Sequence, residues 1–227
     1  NHLHAHIYAS KIEYEIIEYP AISLVVSGGH TSLFLTHSET NYESVGGTID
    51  DAAGEAFDKV GKILGLDYPA GPEIDTISQK GNEKAIRFPR SYLKKGSLDF
   101  SFSGLKTAVL YHCMGQDSRN TPEISKLTDQ EIADIAASFQ EAVVDVLVDK
   151  TIFAATKFST KSIIIGGGVA CNSRLRQRLT DAAKRRDIPL FYPSKKLCMD
   201  NAAMVAGLAF HKYREKKFSR LDVEAMP

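Results

Sequence analysis

Residues 21–35 have the sequence AISLVVSGGHTSLFL, in which two apolar runs flank the polar turn Ser27-Gly28-Gly29-His30. Short apolar runs are typical of buried strands, and a short glycine-rich link between two such runs is typical of a β-hairpin. This stretch therefore predicts two antiparallel strands, at 21–26 and 31–35, as the beginning of a sheet.

On either side of this hairpin the sequence predicts more helices than strands. The apolar spacing predicts helices over 1–19 (ended by Pro20), 52–64, 72–81, 103–111, 131–157, 173–185 and 201–216, with further strands over 162–165 and 189–192. Thr48 and Asp51 have a capping-box-like spacing before the second helix. The polar residues 115–128 predict a mobile loop. A hairpin followed by strand–helix units predicts an α/β fold with a mixed sheet flanked by helices.

The composition excludes some classes of protein. The chain has 227 residues, 43% of them hydrophobic, as in an ordinary globular protein. No apolar run approaches the ~18 residues that a membrane-spanning helix needs, and no signal peptide precedes the first motif. The three cysteines, Cys113, Cys171 and Cys198, are odd in number and scattered, which argues against a disulfide framework and favours a reducing compartment.

One segment is basic although the formal net charge of the chain is zero. Residues 80–106 hold seven Lys or Arg against two acids, interleaved with Phe88, Tyr92, Phe100 and Phe102. Such a segment can follow a phosphate backbone and stack on bases. A solvated loop whose aromatic residues belong to the core is the alternative.

His2 and His6 are four residues apart in a segment predicted to be helical, and Asp200 lies near the other end of the chain. Side chains at i and i+4 share a helix face, so two imidazoles can bind one metal ion at about 2 Å from each nitrogen. The spacing resembles the HExxH protease motif, but Leu3 stands where that motif has its water-activating glutamate. His4 lies about 200° around the helix from His2 and faces elsewhere. A polar helix face remains the alternative for the histidines, and a helix N-cap for Asp200.

Glycine turns and a carboxylate helix face are candidate nucleotide contacts. The turn at 27–30 presents several N–H groups that can bind phosphate, although a plain hairpin also needs glycines. Gly166-Gly167-Gly168 matches neither the dinucleotide nor the Walker A fingerprint, but it indicates that something approaches the backbone closely. Asp58, on a helix face shared with Asp51 and Glu55, can accept hydrogen bonds from a ribose or can belong to a solvated face.

Together, six motifs carry a family resemblance. They are HLHAH at 2–6, LVVSGGHTSL at 24–33, IDDAAGEAFDKVGKILGLDYPAGP at 49–72, DFSFSGLKT at 99–107, GGGVACNSRLR at 166–176 and MDNAAMVA at 199–206. In this combination the chain closely resembles the TsaD family, also called YgjD or Gcp, over essentially its whole length. The resemblance implies an actin/Hsp70/sugar-kinase-like (ASKHA) fold, with a ribonuclease-H-like lobe whose mixed sheet is flanked by helices. It implies a metal-binding helix and connector at 1–20 and a C-terminal lobe at 21–227, with a helical insertion at about 72–160.

The resemblance also implies an activity and its residues. Members of the family are acyltransferases that move a threonylcarbamoyl group from threonylcarbamoyl-adenylate to N6 of the adenosine 3′ of the tRNA anticodon. The implied ligands of one divalent metal ion per subunit, Fe²⁺ first and Zn²⁺ as the alternative, are His2, His6 and Asp200. The implied substrate contacts are Val25, Val26, Ser27, Gly28 and Gly29 on the phosphate side, Asp58, Gly71 and Asp75 on the ribose side, and Gly167 and Asn172 on the adenosine side. An ATP- or ADP-type nucleotide can occupy the same site.

Partners and location follow from the same resemblance. A bacterial member is expected to act on tRNA in the cytoplasm with a TsaB-like paralogue and a TsaE-like ATPase, without a membrane. A mitochondrial member is expected to act as a homodimer in the matrix.

The chain departs from the family at a few places. His4 replaces a frequent glutamate, and Ala70 a frequent glycine. The N-terminal lobe with its ETSCD-type turn is missing, so the sequence is predicted to be a fragment.

Three alternatives stay open at this point. They are a non-catalytic scaffold of the same fold, a metalloprotease (the older family label is sialoglycoprotein endopeptidase), and a small-molecule carbamoyltransferase. Retention of the three metal-type residues argues against a scaffold, and Leu3 argues against a protease. The basic segment favours tRNA over a small molecule.

Overall fold

A computed structural model of the chain describes residues 1–114, 127–220 and 222. The predicted loop at 115–128 lies outside these residues, except for its last two positions. The helices are α1 (His2–Glu13), α2 (Ala53–Ile63), α3 (Gly71–Ser78), α4 (Ser103–Met114), α5 (Asp129–Lys157), α6 (Ser173–Lys184), α7 (Lys195–Cys198) and α8 (Ala202–Arg214). The strands are β1 (Ala21–Val26), β2 (Thr31–Ser38), β3 (Asn41–Gly47), β4 (Ser162–Gly166) and β5 (Leu190–Phe191).

The strands form one mixed sheet in the order β3-β2-β1-β4-β5. β1 pairs antiparallel with β2 and parallel with β4, in a register that places Val25 opposite Gly166. The predicted hairpin and mixed sheet are confirmed. β3 was not predicted, because its polar sequence NYESVGG lacks the apolar alternation of a half-buried strand.

Alternate residues of β1 point to opposite sides of the sheet. Every residue of β1 is buried, so both sides of the sheet are covered at this strand. Ile22, Leu24 and Val26 join the main core, to which α2–α6 contribute. Ala21 and Val25 face the opposite side, where they pack with residues of α1 and its following connector. α8 then packs on the outer side of α1. The sheet is therefore a middle layer between two layers of helices.

Two glycines let α1 and β1 approach the end of β4. A Cβ atom at Gly166 would lie 2.5 Å from the backbone oxygen of His6, and one at Gly167 would collide with the backbone oxygen of Val26. Gly167 also has a φ of +94°, a conformation that other residues rarely adopt. The predicted close approach is confirmed, and the approaching groups are the protein's own backbone.

The first helix is shorter than predicted. It ends at Glu13 instead of continuing to Pro20, and Tyr14 is extended. Beyond this point Ile17 packs beneath the sheet with the α1-side cluster. Isoleucine has only a modest helix preference, so this burial outweighs the helical periodicity on which the prediction rested.

The start of α2 also differs from the prediction. Thr48 does not cap the helix, since its Oγ1 donates to the backbone oxygen of Asp51 (2.7 Å). The N-cap position is Ala52, which has no capping side chain, and the N–H of Ala53 instead donates to Oγ1 of Thr31 on β2 (2.9 Å). A partner this far away in sequence cannot be found by searching for local capping motifs.

The aromatic residues of the basic segment are mostly core residues. Phe88, Phe100 and Phe102 are each at most 3% exposed, so they cannot stack on bases. Tyr92 is exposed, although its hydroxyl donates to Asp149. The stacking interpretation is therefore wrong for the three phenylalanines, whose large apolar surface is worth more inside the core.

No helix in the described part of the chain is both long enough and apolar enough to cross a bilayer. The division into residues 1–20 and 21–227, with an insertion at 72–160, stays a prediction.

We expect Gly54→Ala to destabilise the full-length protein by ~1–3 kcal/mol, because overpacking a tight contact has this typical cost. Its Cβ would lie 2.5 Å from the backbone oxygen of Ser27. Gly104→Ala is the matched control, since Gly104 is likewise the second residue of its helix but has open space around it. Urea unfolding measures both variants, and equal midpoints would contradict the packing explanation.

Candidate functional site

Two segments that lie far apart in the sequence meet at His6 and Asp200. His6 is 3% exposed, and its Nε2 lies 2.9 Å from Oδ1 of Asp200. The ring of His2 lies on the same side, with its centroid 6.0 Å from that of His6. The structure thus brings all three predicted metal-type residues into one neighbourhood.

These side chains suit a metal ion chemically. Two atoms that bind one ion at about 2 Å lie roughly 3 Å apart, which is the separation of the His6 and Asp200 atoms. Nδ1 of His6 is buried and has no hydrogen-bond partner. As the side chains stand, however, no group of three His, Cys, Asp or Glu residues among those described could hold an ion. Binding would require His2 to rotate toward the other two.

A third imidazole ring, that of His30, adjoins the cluster. Its centroid is 5.0 Å from that of His2, and burial lowers its pKa. Burial likewise lowers the pKa of His6, against the opposing charge of Asp200. Neutral imidazoles are the form that binds metals, so both shifts suit such a site. In the sequence His30 is recognisable only as part of a turn, because its place beside the metal-type residues depends on the hairpin geometry.

His4 faces away from this cluster, as the helical geometry predicts. Its ring stacks on Tyr42 at 4.3 Å and meets the edge of Phe34 at 5.6 Å. Burial, followed by the charge of Lys212, lowers its pKa to about 4. His4 is therefore a neutral packing residue at neutral pH.

Asp200 is not the N-cap of α8. That role belongs to Asn201, whose side-chain oxygen accepts from the N–H of Met204 (2.9 Å). The carboxylate of Asp200 is 79% exposed apart from its contact with His6. The capping alternative for Asp200 is therefore wrong, and its side chain is available for another purpose.

The predicted phosphate-side residues are the end of β1 (Val25 and Val26) and the first part of the turn that leads to β2 (Ser27, Gly28 and Gly29). The N–H of Ser27 donates to the backbone oxygen of His30 (2.8 Å), which closes the hairpin. The beginning of α2 packs directly against this turn, and the N–H of Gly54 donates to the backbone oxygen of Ser27 (3.2 Å). The positive end of a helix dipole therefore lies beside Gly28 and Gly29, which favours an anion there.

A cleft of about 490 Å³ opens beside this turn. Its lining includes Gly28, Glu55, Asp58, Lys59, Lys62 and Ala70. Oδ1 of Asp58 accepts from the N–H of Ala70 (2.9 Å), which fixes the start of α3 and hence Gly71 beside the cleft. A carboxylate has a second acceptor oxygen, so Asp58 retains capacity for a hydroxyl.

Asp75 and Asn172 are structurally linked. The two oxygens of Asp75 accept from the N–H (3.0 Å) and the hydroxyl (2.8 Å) of Ser173. Asn172 caps α6 by accepting from the N–H of Leu175, and its amide donates to Gln140. Asp75 therefore positions the loop that carries Asn172, and its oxygens are already engaged.

A thiol pair that sequence spacing did not reveal lies next to these residues. Cys171 lies in the 3₁₀ helix (168–171) after β4 and Cys198 ends α7, and these two segments pack together. The interaction with Cys198, helped by the charges of Arg176 and Lys195, lowers the pKa of Cys171 to about 6, whereas the same interaction and burial raise the pKa of Cys198.

The basic segment is held by a buried lysine. Lys150 of α5 is 4% exposed, and its ammonium group donates to the backbone oxygens of Tyr92, Ser97 and Asp99. Burial lowers its pKa. The loop that these bonds enclose exposes Lys94 and Lys95.

The fold is shared with solved structures of low sequence identity. Full-length HypF in its phosphate- and nucleotide-bound form superposes with a TM-score of 0.70 at 14% identity, over 96% of this chain and 36% of HypF. Component A of the (R)-2-hydroxyglutaryl-CoA dehydratase of Acidaminococcus fermentans gives 0.52 at 14% identity, over 95% of this chain and 69% of that one. Identities this low show the fold alone. The chain has the ribonuclease-H-like architecture of the ASKHA fold, as expected.

Sequence similarity is much stronger to one family. Residues 1–207 match the family model "TsaD: tRNA N6-adenosine threonylcarbamoyltransferase". The tRNA N6-adenosine threonylcarbamoyltransferase of Moorella thermoacetica is 48% identical over 229 aligned positions, and that of Kosmotoga olearia is 47% identical over 227. Both alignments cover 100% of this chain but only 64% and 65% of the relatives. The match over nearly all of the sequence shows that this chain belongs to the TsaD family.

Proposed function

We propose that the protein containing this chain transfers a threonylcarbamoyl group from threonylcarbamoyl-adenylate to N6 of the adenosine 3′ of the anticodon in tRNA. The observation that carries the proposal is the meeting of His6 and Asp200, 2.9 Å apart, beside the glycine turn at 27–30. Residues from opposite ends of the sequence converge on one place, next to a cleft large enough for part of a nucleotide. Family membership supplies the reaction.

His2, His6 and Asp200 would hold one divalent metal ion, Fe²⁺ first and Zn²⁺ as the alternative. When bound, the ion supplies Lewis-acid polarisation of the acyl-adenylate and neutralises phosphate charge. Burial lowers the pKa of His6, against the attraction of Asp200, and so favours the neutral imidazole that binds metals. The imidazole of His30, which lies beside that of His2, is a further candidate metal ligand within this cluster.

The adenylate would lie along the turn and the cleft. Val25, Val26, Ser27, Gly28 and Gly29 would surround its phosphate, where backbone N–H groups and the start of α2 favour negative charge. Asp58 and Gly71 would contact the ribose, and Gly167 and Asn172 the adenine side. Asp75 would act through Ser173, because both of its oxygens already bind that residue.

The reaction needs no nucleophile from this chain, since the tRNA amine is the attacking group. The residues described above would contribute by holding the two substrates in a reactive geometry and by stabilising developing charge. The rival functions lack support: Leu3 occupies the position of a protease glutamate, and a scaffold has no need of the His–Asp convergence.

We further propose a bacterial cytoplasmic setting, because the relatives reported above come from bacteria. The expected partners are then tRNA, a TsaB-like paralogue and a TsaE-like ATPase. The homodimer in a mitochondrial matrix is the outcome expected if the protein is organellar.

The reaction can be tested directly with the full-length protein. Given threonylcarbamoyl-adenylate, unmodified tRNA and its partner proteins, it should produce threonylcarbamoyladenosine, detectable by mass spectrometry of the digested tRNA. We expect His6→Ala to lower the rate by at least about 100-fold, since even outer partners of metal ligands alter affinity or activity by 10–100-fold.

His37→Ala is the matched control for that experiment, because His37 is an exposed histidine on β2, paired with Glu43 away from the cluster. It should retain full activity. Absence of product from the unaltered protein, with partners shown to be active alongside a known family member, would favour the scaffold function.

The metal assignment has its own test. We expect Asp200→Ala to abolish metal binding in the full-length protein while its unfolding midpoint changes little, because Asp200 is exposed and caps no helix. Elemental analysis after dialysis measures the stoichiometry. Asp181→Ala, at an exposed position on α6, is the control. Retained stoichiometry in Asp200→Ala would refute the assignment.

The tRNA surface is expected to include Lys94 and Lys95. Replacing both with alanine should weaken tRNA binding and reduce the slope of log K against log salt by about 2, one unit for each lost phosphate contact. Lys157 and Lys161 provide the control pair, because both are exposed and lie just before β4, outside the loop that carries Lys94 and Lys95. Equal slopes for the two double variants would exclude this loop as a phosphate contact.

A further inference from the structure

We propose that Cys171 and Cys198 form a reversible disulfide when the folded protein meets a peroxide. The proposal concerns oxidative modification and does not depend on the proposed transferase reaction. It rests on the juxtaposition of two thiols from segments that are separate in sequence.

Both thiols lie against the same short segment of chain. Cys171 ends the 3₁₀ helix Gly168–Cys171 that follows β4. Its thiol points to the backbone oxygen of Lys195 at 3.9 Å. Cys198 ends α7, and its thiol donates to the backbone oxygen of Pro193 at 3.6 Å. Lys195 and Cys198 belong to the same turn of helix, so the contact of Cys171 with Lys195 places the two thiols in one neighbourhood. A bond between them can therefore form by local adjustment of these two segments.

The two cysteines differ in access to solvent. Cys171 is partly exposed, whereas Cys198 is 0% exposed. A peroxide can therefore reach Cys171 first, and Cys198 is in place to react with the oxidised product. This arrangement of an accessible thiol beside a second, resolving thiol is typical of oxidant-sensitive pairs.

A fixed positive charge adjoins the pair. The guanidinium group of Arg176 lies 3.3 Å from Sγ of Cys198 and is held over the ring of Tyr192 at 4.5 Å. It also donates to the backbone oxygens of Ala170 and Pro193, which flank the two thiols. A nearby cation stabilises a thiolate, the reactive form of cysteine.

The chemistry balances in two steps. The Cys171 thiolate attacks one oxygen of the peroxide, so that an S–O bond forms and the O–O bond breaks. With hydrogen peroxide, the other oxygen leaves as hydroxide and takes up a proton to become water. Cys198 sulfur then attacks the Cys171 sulfenic acid, forming the S–S bond while the hydroxyl leaves with the thiol proton as water. Sulfur is oxidised and peroxide oxygen is reduced, and a dithiol reductant reverses the result.

The bond would join two segments of the candidate site. Cys171 immediately precedes Asn172, and Cys198 lies two residues before Asp200. Met199 lies between Cys198 and Asp200, and its sulfur atom would be 3.1 Å from a Cβ atom placed at Gly168. The two loops are therefore already in close contact. Oxidation would therefore tie together the loops that carry an adenosine-side residue and a metal-type residue.

Peptide mapping of the full-length protein tests the proposal. The protein is treated with hydrogen peroxide under native conditions, its remaining thiols are alkylated, and it is digested with trypsin without reduction. The three cysteines of this chain fall in separate tryptic peptides, 107–119, 162–174 and 197–212. We expect peptides 162–174 and 197–212 to be joined, with the loss of two hydrogen atoms, and to separate again after dithiothreitol.

Matched variants distinguish this pair from general oxidation. Cys113→Ser should form the linked peptide as the unaltered protein does. Cys171→Ser should lose it and leave Cys198 reduced, because Cys198 is buried. Unfolding in urea before oxidation should remove the preference for this pairing. Irreversible oxidation of Cys171 without a linked peptide, or linkage of Cys171 to Cys113, would overturn the proposal.

Discussion

Contact between the backbone of α1 and the glycine turn after β4 determines where the rest of the site can lie. Parallel pairing of β1 with β4 places the ends of both strands at one edge of the sheet. At that edge His6 packs on Gly166 and Val26 on Gly167, with no room for a side chain between them. A residue larger than glycine at either position would separate the first helix from the sheet. The imidazole of His6 would then move away from the hairpin turn and from Asp200.

Local patterns in the sequence predict much of this architecture. The hairpin at 21–35 and the apolar face of α2 are found correctly because each is decided by neighbours within a few residues. The departures have long-range causes. α1 stops early because Ile17 finds burial beneath the sheet, and α2 is capped by Thr31 from another strand. Neither partner is visible in a window of sequence.

The candidate site, like the fold, has features that local sequence patterns predict and features that depend on long-range contacts. Family resemblance identified its residue types, and the structure shows how several of them are held in place. Asp75 engages Ser173 with both oxygens and so fixes a loop, while its contact with substrate stays a prediction. His30 and the thiol partner of Cys198 could not be found by spacing, because only the folded hairpin and the turn after β4 bring them to their neighbours. HypF shares the architecture at 14% identity, so the architecture by itself implies no particular chemistry.

The ammonium group of Lys150 occupies the centre of the 92–99 loop much as a bound calcium ion occupies a loop of carbonyl oxygens elsewhere. Unlike such an ion, it is covalently part of α5 and cannot dissociate. The loop is therefore already shaped in the free protein, and its exposed lysines would not have to be ordered if a polyanion bound there. A ligand that binds there avoids much of the entropy loss that a flexible basic arm would incur. A ligand would therefore bind a preformed, positively charged loop instead of inducing that loop to fold.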